Sequence, residues 1–334
     1  MPLWPVYTGT NEPHDGIDRL PPPPPWRAFD GGPALDAPDA AADTGAVSPD
    51  RTHRAETYRA TPQTVQLVNA ALYLRRPLLV TGPPGTGKSS LVYAVARELG
   101  LGPVLRWNIT SRSTLHDGLY QYDPLSRLYA ARQLPAVETG IEDHLRLGPL
   151  GTALLPYARP RALLIDEIDK SDLDLPNDLL NVLEEGQYEI PELIRSARDT
   201  PTAQVMIDGS DQRVAVERGR VRCRAFPFVV FTSNGEREFP PAFLRRCVTL
   251  RLRQPDDGHL AAIVRAHFDE EPDAYAQTLI SRFLSRVSGG DLATDQLLNA
   301  IYLARSSDLA TESLDELAEQ LMPYLSEAPP TDAF

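Results

Sequence analysis

Only two cysteines occur in the 334 residues, Cys223 and Cys247, far apart and without CxxC spacing. They describe neither a zinc site nor a disulfide framework. The six histidines are scattered, none paired with another at ligand spacing, so no protein-held metal cluster is indicated. No apolar run approaches the roughly eighteen residues of a membrane span, so no membrane association is expected. The start, Met1-Pro2-Leu3-Trp4-Pro5, lacks the basic-then-apolar pattern of a secretion signal, and a cytoplasmic location is expected. Positive charge is also short: 33 basic residues stand against 46 acidic ones, a formal net charge of -13. Binding of nucleic acid through bulk electrostatics is therefore not expected. One local patch remains, Arg220, Arg222 and Arg224, which a strand would present on one face, although a solvated outer strand reads the same way.

What the chain does have is 42% hydrophobic residues, enough for one large or two modest cores. Its most informative segment is Gly82-Pro83-Pro84-Gly85-Thr86-Gly87-Lys88-Ser89, running on into Ser90. Glycines let successive backbone N–H groups turn inward toward phosphate oxygens. A lysine at the end of the loop reaches the β and γ phosphates, and the hydroxyl after it is a Mg²⁺ ligand. The flanks agree. Pro77-Leu78-Leu79-Val80-Thr81 reads as a buried parallel strand, and residues 90–99 carry apolar side chains at helical spacing before Gly100. The helix start adds a favourable dipole for an anion.

A second strand-like run, Ala162-Leu163-Leu164-Ile165, ends in Asp166-Glu167. A carboxylate at a neighbouring strand tip is what the metal beside a phosphate loop requires, and Asp166 takes that part. Glu167 is placed to polarise an attacking water. Together the motifs point to hydrolysis of a nucleotide, with ATP and Mg²⁺ as cofactors.

Along the chain, the first fifty residues hold 11 of the 32 prolines, including Pro21 to Pro25. Residues 1–55 are expected to be a disordered, proline-rich arm with a polyproline rod. Its exit, Trp26-Arg27-Ala28-Phe29, reads either as a docking motif for this domain or a neighbour, or as aromatics that are merely exposed. Further strand-like runs are Val104 to Ile109, Phe228-Val229-Val230-Phe231-Thr232 and Cys247 to Leu252. Alternation of strands and helices predicts an α/β fold, a parallel five-stranded sheet with flanking helices over residues 56–256. Residues 257–325 turn purely helical and read as a small all-helical lid, with 326–334 a frayed tail.

These motifs in this order resemble an AAA+ ATPase, and within that superfamily the MoxR-like, helix-2-insert branch. After the acidic pair come Ile168-Asp169-Lys170 and the 178–188 stretch, then Thr232-Ser233-Asn234, which is similar to the polar sensor that orients water, assigning Asn234. Pro240 to Cys247 resembles the arginine-finger segment; Arg246 aligns best with the finger and Arg245 is an adjacent candidate. Excess chain near 114–155 and 189–225 is similar to the branch's two inserts, which face the ring pore or a client. Tyr58 and Ala60 fall where the base stacks in this superfamily. The resemblance implies a homo-oligomeric, hexameric ring that remodels or activates a partner, which in this branch often carries a von Willebrand factor A domain. The proline-rich start and the Leu244-Arg245-Arg246-Cys247 segment also resemble ATPases of bacterial multi-gene conflict systems. One departure stands out: Gln296 occupies the position of the lid arginine, with Arg286 or Arg305 as possible substitutes. The alternatives are a nucleotide-gated interaction switch with little turnover and a DNA-directed NTPase.

Overall fold

The computed structural model describes residues 4–36, 48–133, 140–287 and 292–306, together with 316, 318 and 320–322. The expected tail at 326–334 lies outside the described residues.

Helices α1 (Pro49–Thr57) and α2 (Pro62–Leu74) lead into β1 (Leu78–Thr81), the glycine loop and α3 (Lys88–Glu98). Then come β2 (Leu105–Asn108), α4 (Leu115–Leu119), β3 (Tyr120–Tyr122), α5 (Pro124–Gln133), β4 (Leu145–Leu147) and α6 (Pro149–Ala153). Strand β5 (Ala162–Asp166) is followed by α7 (Leu175–Glu185), β6 (Gln187–Glu189), α8 (Pro191–Ser196), β7 (Thr202–Met206), β8 (Arg213–Glu217) and β9 (Arg220–Arg222). The order closes with β10 (Phe228–Ser233), α9 (Pro241–Leu244), β11 (Val248–Arg251), α10 (Asp257–Phe268), α11 (Ala274–Val287) and α12 (Thr294–Ser306).

Five strands form one parallel sheet in the order β11-β1-β10-β5-β2. The order brings the glycine-loop strand and the Asp166 strand to either side of β10. Both faces are covered, which is why these strands read as unbroken apolar runs rather than alternating ones. Leu79, Leu163, Ile165, Val229 and Phe231 point into one core with Leu179 and Leu183 of α7. Leu78, Val80, Leu164 and Val230 point into the other, with Val68 and Leu72 of α2 and Leu91 and Val95 of α3. Each such side chain contributes about 1.5–3 kcal/mol by leaving water. The register aligns Thr81 with Ser233 and Asn108 with Asp166, so the carboxyl ends of the strands share one edge. In an open parallel sheet that edge is where ligands bind.

The segments at 120–122, 145–147 and 187–222 build a second, six-stranded sheet, ordered β3-β4-β7-β8-β9-β6. Its β7–β8 hairpin pairs Val205 with Val214 and Ala203 with Val216, apolar in and polar out. Helices α10, α11 and α12 enclose a separate small core around Leu260, Val264, Phe283, Leu297 and Ile301.

The expectation of a disordered arm over 1–55 is overturned for residues 4–36 and for the stretch inside α1. Val6 and Tyr7 are fully buried. Asn69 of α2 accepts the Val6 and Tyr7 N–H groups through Oδ1 at 2.7 and 2.9 Å and donates from Nδ2 to the Tyr7 carbonyl at 2.7 Å. Glu98, at the end of α3 and fully buried, accepts from Thr8 N–H, Thr8 Oγ1, Gly9 N–H and Asn11 N–H. Composition could not show this, because the arm's backbone is satisfied by polar side chains of other elements rather than by its own apolar content. Residues 1–3 and 37–47 lie outside the described residues.

Candidate functional site

The glycine loop leaves β1 and enters α3 with Gly85 at φ +71° and Gly87 at φ +81°, a backbone that side-chain-bearing residues rarely adopt. A Cβ on Gly85 would lie 2.5 Å from that of Ala293 in the lid, and one on Gly87 would lie 3.3 Å from the Tyr58 ring. The loop is thus pressed between Ala293 and Tyr58, most tightly at Gly85. Lys88 is 8% exposed, and its Nζ donates to the Gly82 and Pro83 carbonyls, both at 2.8 Å. Burial lowers its pKa, while Asp169, Asp166 and Glu167 pull the other way. Thr86 Oγ1 donates to the Pro83 carbonyl at 2.9 Å.

At the neighbouring tips, Ser89 Oγ donates to Asp166 Oδ1 at 2.8 Å and Thr232 Oγ1 donates to the same oxygen at 2.6 Å. Thr232 Oγ1 also accepts the Glu167 N–H at 2.9 Å. The other carboxylate oxygen, Asp166 Oδ2, takes Arg106 Nη2 of β2 at 2.8 Å. Glu167 sits at φ +61°, ψ 48°, an uncommon conformation for a non-glycine residue that turns the chain sharply after β5. Its carboxylate accepts Lys170 Nζ at 2.8 Å, and that bond raises the Lys170 pKa. Asp169, 4% exposed, gathers the backbone N–H groups of Asn234, Gly235 and Glu236 on Oδ2 at 2.9, 3.1 and 3.2 Å. It therefore fixes the turn after β10 that carries Asn234.

A cavity of about 950 Å³ joins these groups. Residues 84–90, Asp166, Glu167 and Asn234 line it from the sheet, Tyr58 and Arg59 from the wall between α1 and α2, and His259, His267, Thr294 and Asp295 from the lid. Asn11 Nδ2 donates to the Tyr58 and Glu56 carbonyls at 2.5 and 3.2 Å, so the N-terminal segment braces this wall. The donor set fits a magnesium–triphosphate group: a hydroxyl and a carboxylate are hard oxygen ligands, and Lys88 with the loop N–H groups faces the same cavity.

Two expected residues stand apart from this cavity. Arg246 is ion-paired through Nε with Glu184 of α7, and its Nη1 donates to the Ala242 carbonyl at 3.3 Å. Arg245 is exposed, with its carbonyl accepting Arg76 Nη1 at 3.2 Å. Gln296 Oε1 accepts the Ala293 N–H at 2.9 Å, capping the start of its own helix. Arg305 is turned to Glu270, 3.3 Å away, and stacks on Phe268 within the lid.

The family model for the AAA domain, dynein-related subfamily, matches residues 77–247, which is 171 of the 334. The chain belongs to this family. It is a P-loop ATPase of the AAA class. Two solved structures of NtrX from Brucella abortus are similar to it, one in complex with ADP (15% identity, TM-score 0.37) and one in complex with ATP (16% identity, TM-score 0.39). The similarity covers 76% of this chain in both cases and 54% and 55% of theirs, so the chain spans about half of their length. No curated protein matches it.

Within this AAA domain, sequence reasoning missed Arg106, Thr232 and Asp169. Arg106 had little signal, because it lies in the edge strand β2 with its side chain 34% exposed, where a charge needs no partner. Thr232 had a weak one, a hydroxyl closing an otherwise apolar run. Asp169 had none, since an acid at the start of the next turn is commonplace.

Proposed function

We propose that the chain hydrolyses ATP with Mg²⁺ in a ring of about six subunits and uses the cycle to remodel or activate a partner protein, in the manner of the MoxR-like branch. The observation that carries this reading is the convergence of Ser89 and Thr232 on Asp166 Oδ1, with Lys88 and Glu167 beside them. Lys88 and the N–H groups of residues 85–89 would hold the phosphates, while Ser89 and Asp166 would hold the metal. Mg²⁺ held there would supply neutralisation of the charge that develops on the phosphates. Glu167 accepts a proton from water as the water oxygen bonds to the γ phosphorus, and the bond to the bridging oxygen of ADP breaks. Asn234 orients that water. For this Glu167 exchanges its contact with Lys170 for one with water. Arg246, or Arg245 next to it, serves the site of the adjacent subunit, where such a finger is worth on the order of a thousandfold in rate.

On this reading residues 56–256 are the nucleotide-binding unit, 257–325 the lid, and the inserts near 114–155 and 189–225 face a client or a partner with a von Willebrand factor A domain. Exposed Leu125, Leu128 and Tyr129, at helical spacing on α5, support contact with a client. The basic strand gives the DNA-directed alternative little support: Arg220 pairs with Glu189 at 3.0 Å and Arg222 with Asp30 at 2.8 Å. Glu167→Gln is expected to leave ATP bound and abolish turnover. Unchanged phosphate release from that variant would remove Glu167 from the mechanism.

The switch reading keeps one observation in its favour. Gln296 is spent on its own helix end and carries no charge toward a γ phosphate. Phosphate release that stays at background, with or without a partner, would select the switch.

A further inference from the structure

We propose that the Thr294 hydroxyl, at the start of α12, donates to a phosphate oxygen of the bound nucleotide and so ties the lid to it; the inference rests on the ATP-binding reading of the cavity. Thr294 lines that cavity and is 7% exposed. Its Oγ1 is buried with no hydrogen-bond partner among the described residues. A threonine at a helix start ordinarily spends this oxygen on capping the helix. Here the cap is made by Gln296, whose Oε1 accepts the Ala293 N–H at 2.9 Å. A buried hydroxyl left unpaired costs the folded protein free energy. Beside a ligand cavity, that cost points to a partner that arrives with the ligand.

The surroundings of Thr294 say which part of the ligand that is. A Cβ built on Gly85 would lie 2.5 Å from the Ala293 Cβ and 2.7 Å from the Thr294 nitrogen, so the start of α12 rests on the glycine loop. On the proposed reading the N–H groups of this loop hold the phosphates. Gln254, between β11 and α10, donates from Nε2 to the Leu292 carbonyl at 2.7 Å and holds the approach to α12 from the other side. Little freedom therefore remains to be lost when the hydroxyl meets its partner. Over its 13 residues α12 also presents the partial positive charge of a helix N-terminus, which favours an anionic oxygen over a neutral one. Asp295 lines the same cavity and opposes an anion, but it is exposed, so water and salt weaken its charge. The neutral hydroxyl gives a weaker contact than a charged donor at Gln296 would give.

The test uses Thr294→Val and Thr294→Ser in the full chain, titrated calorimetrically with a nonhydrolysable ATP analogue, its 2′-deoxy form and ADP, each with Mg²⁺. Thr294→Val keeps the shape and removes the hydroxyl, and should weaken the analogue by about fivefold to tenfold. Thr294→Ser should recover most of that affinity. Without nucleotide, Thr294→Val should melt no lower than the parent, because an unpaired buried hydroxyl has gone; with the analogue, its rise in melting temperature should be the smaller. Loss for the analogue alone puts the contact on the γ phosphate, and equal loss for ADP puts it on a phosphate the two share; either supports the inference. Unchanged affinity in Thr294→Val, with a parent that binds tightly, overturns the inference and leaves the ATP-binding reading standing. A loss seen only for the ligand that carries the 2′-hydroxyl assigns Thr294 to the sugar and overturns it. A lower melting temperature without nucleotide makes the hydroxyl structural and overturns it as well. A parent that binds neither nucleotide overturns the reading and the inference together.

Discussion

The two parts of this molecule that the proposed function uses are held differently. At the strand tips, Asp166 has three side-chain partners, Asp169 collects three backbone N–H groups, and Lys88 is almost wholly enclosed. At the face of α7 and α9, Arg246 is half-buried, with one carboxylate and one carbonyl as partners, and Arg245 is exposed. On the proposed reading, the difference teaches that one half of the site is organised within the chain, while the other half is held loosely enough to be handed to a neighbour. Preorganised donors lose little when the reaction begins; a loosely held cation costs little to redeploy.

The largest break of that comparison is Arg246→Ala. Phosphate release should fall on the order of a thousandfold, with nucleotide affinity and melting temperature nearly unchanged. A variant that loses stability as well would mean that Arg246 belongs to the fold rather than to a neighbour's site.

Asp169→Ala should do the reverse, acting on the fold first. Removing the carboxylate strands three N–H groups at the turn after β10, and an unsatisfied buried group costs about 1–3 kcal/mol. A total loss of about 3 kcal/mol, read from urea unfolding, is expected because water can reach part of the turn. Turnover should fall too, since Asn234 is no longer held. Arg106→Ala removes one charged hydrogen bond from Asp166 and should cost about 1–2 kcal/mol, with Arg106→Lys recovering part of it. A midpoint that does not move would show that Ser89 and Thr232 alone position Asp166.

The same contrast explains what could be read from the amino acids. The glycine loop, Asp166, Glu167 and the five apolar strands were legible because each is a local pattern: a spacing, a run, or a run ending in acids. The start of α2 is a local pattern of the same kind, with the Thr61 hydroxyl accepting the Thr64 N–H at 3.2 Å. Arg106 and Asp169 were hidden because their partners, Asp166 and the backbone after Ser233, come from other strands. The arm was hidden most completely. Its proline content predicts disorder, yet Asn69 and Glu98, unremarkable in their own helices, supply the hydrogen bonds that bind residues 6–11. Composition reports what a segment can bury alone, not which polar groups elsewhere await its backbone.

The smallest expected effect is also the most discriminating. Glu184→Ala takes away the carboxylate that holds Arg246 and leaves the Glu184 carbonyl, which Arg27 uses, in place. Both partners are partly exposed, 30% for Arg246 and 42% for Glu184, so the pair adds only about 0–1 kcal/mol and stability should barely change. Activity at limiting protein concentration should rise, because transfer of Arg246 to a neighbour no longer requires breaking a contact at home. Full restraint of about 1 kcal/mol corresponds to roughly a fivefold gain. At saturating concentration the gain should vanish, since assembly then supplies the driving force. A loss of activity at every concentration would give Glu184 the opposite part, aiming Arg246 rather than detaining it, and the α7 face would then be as preorganised as the strand tips.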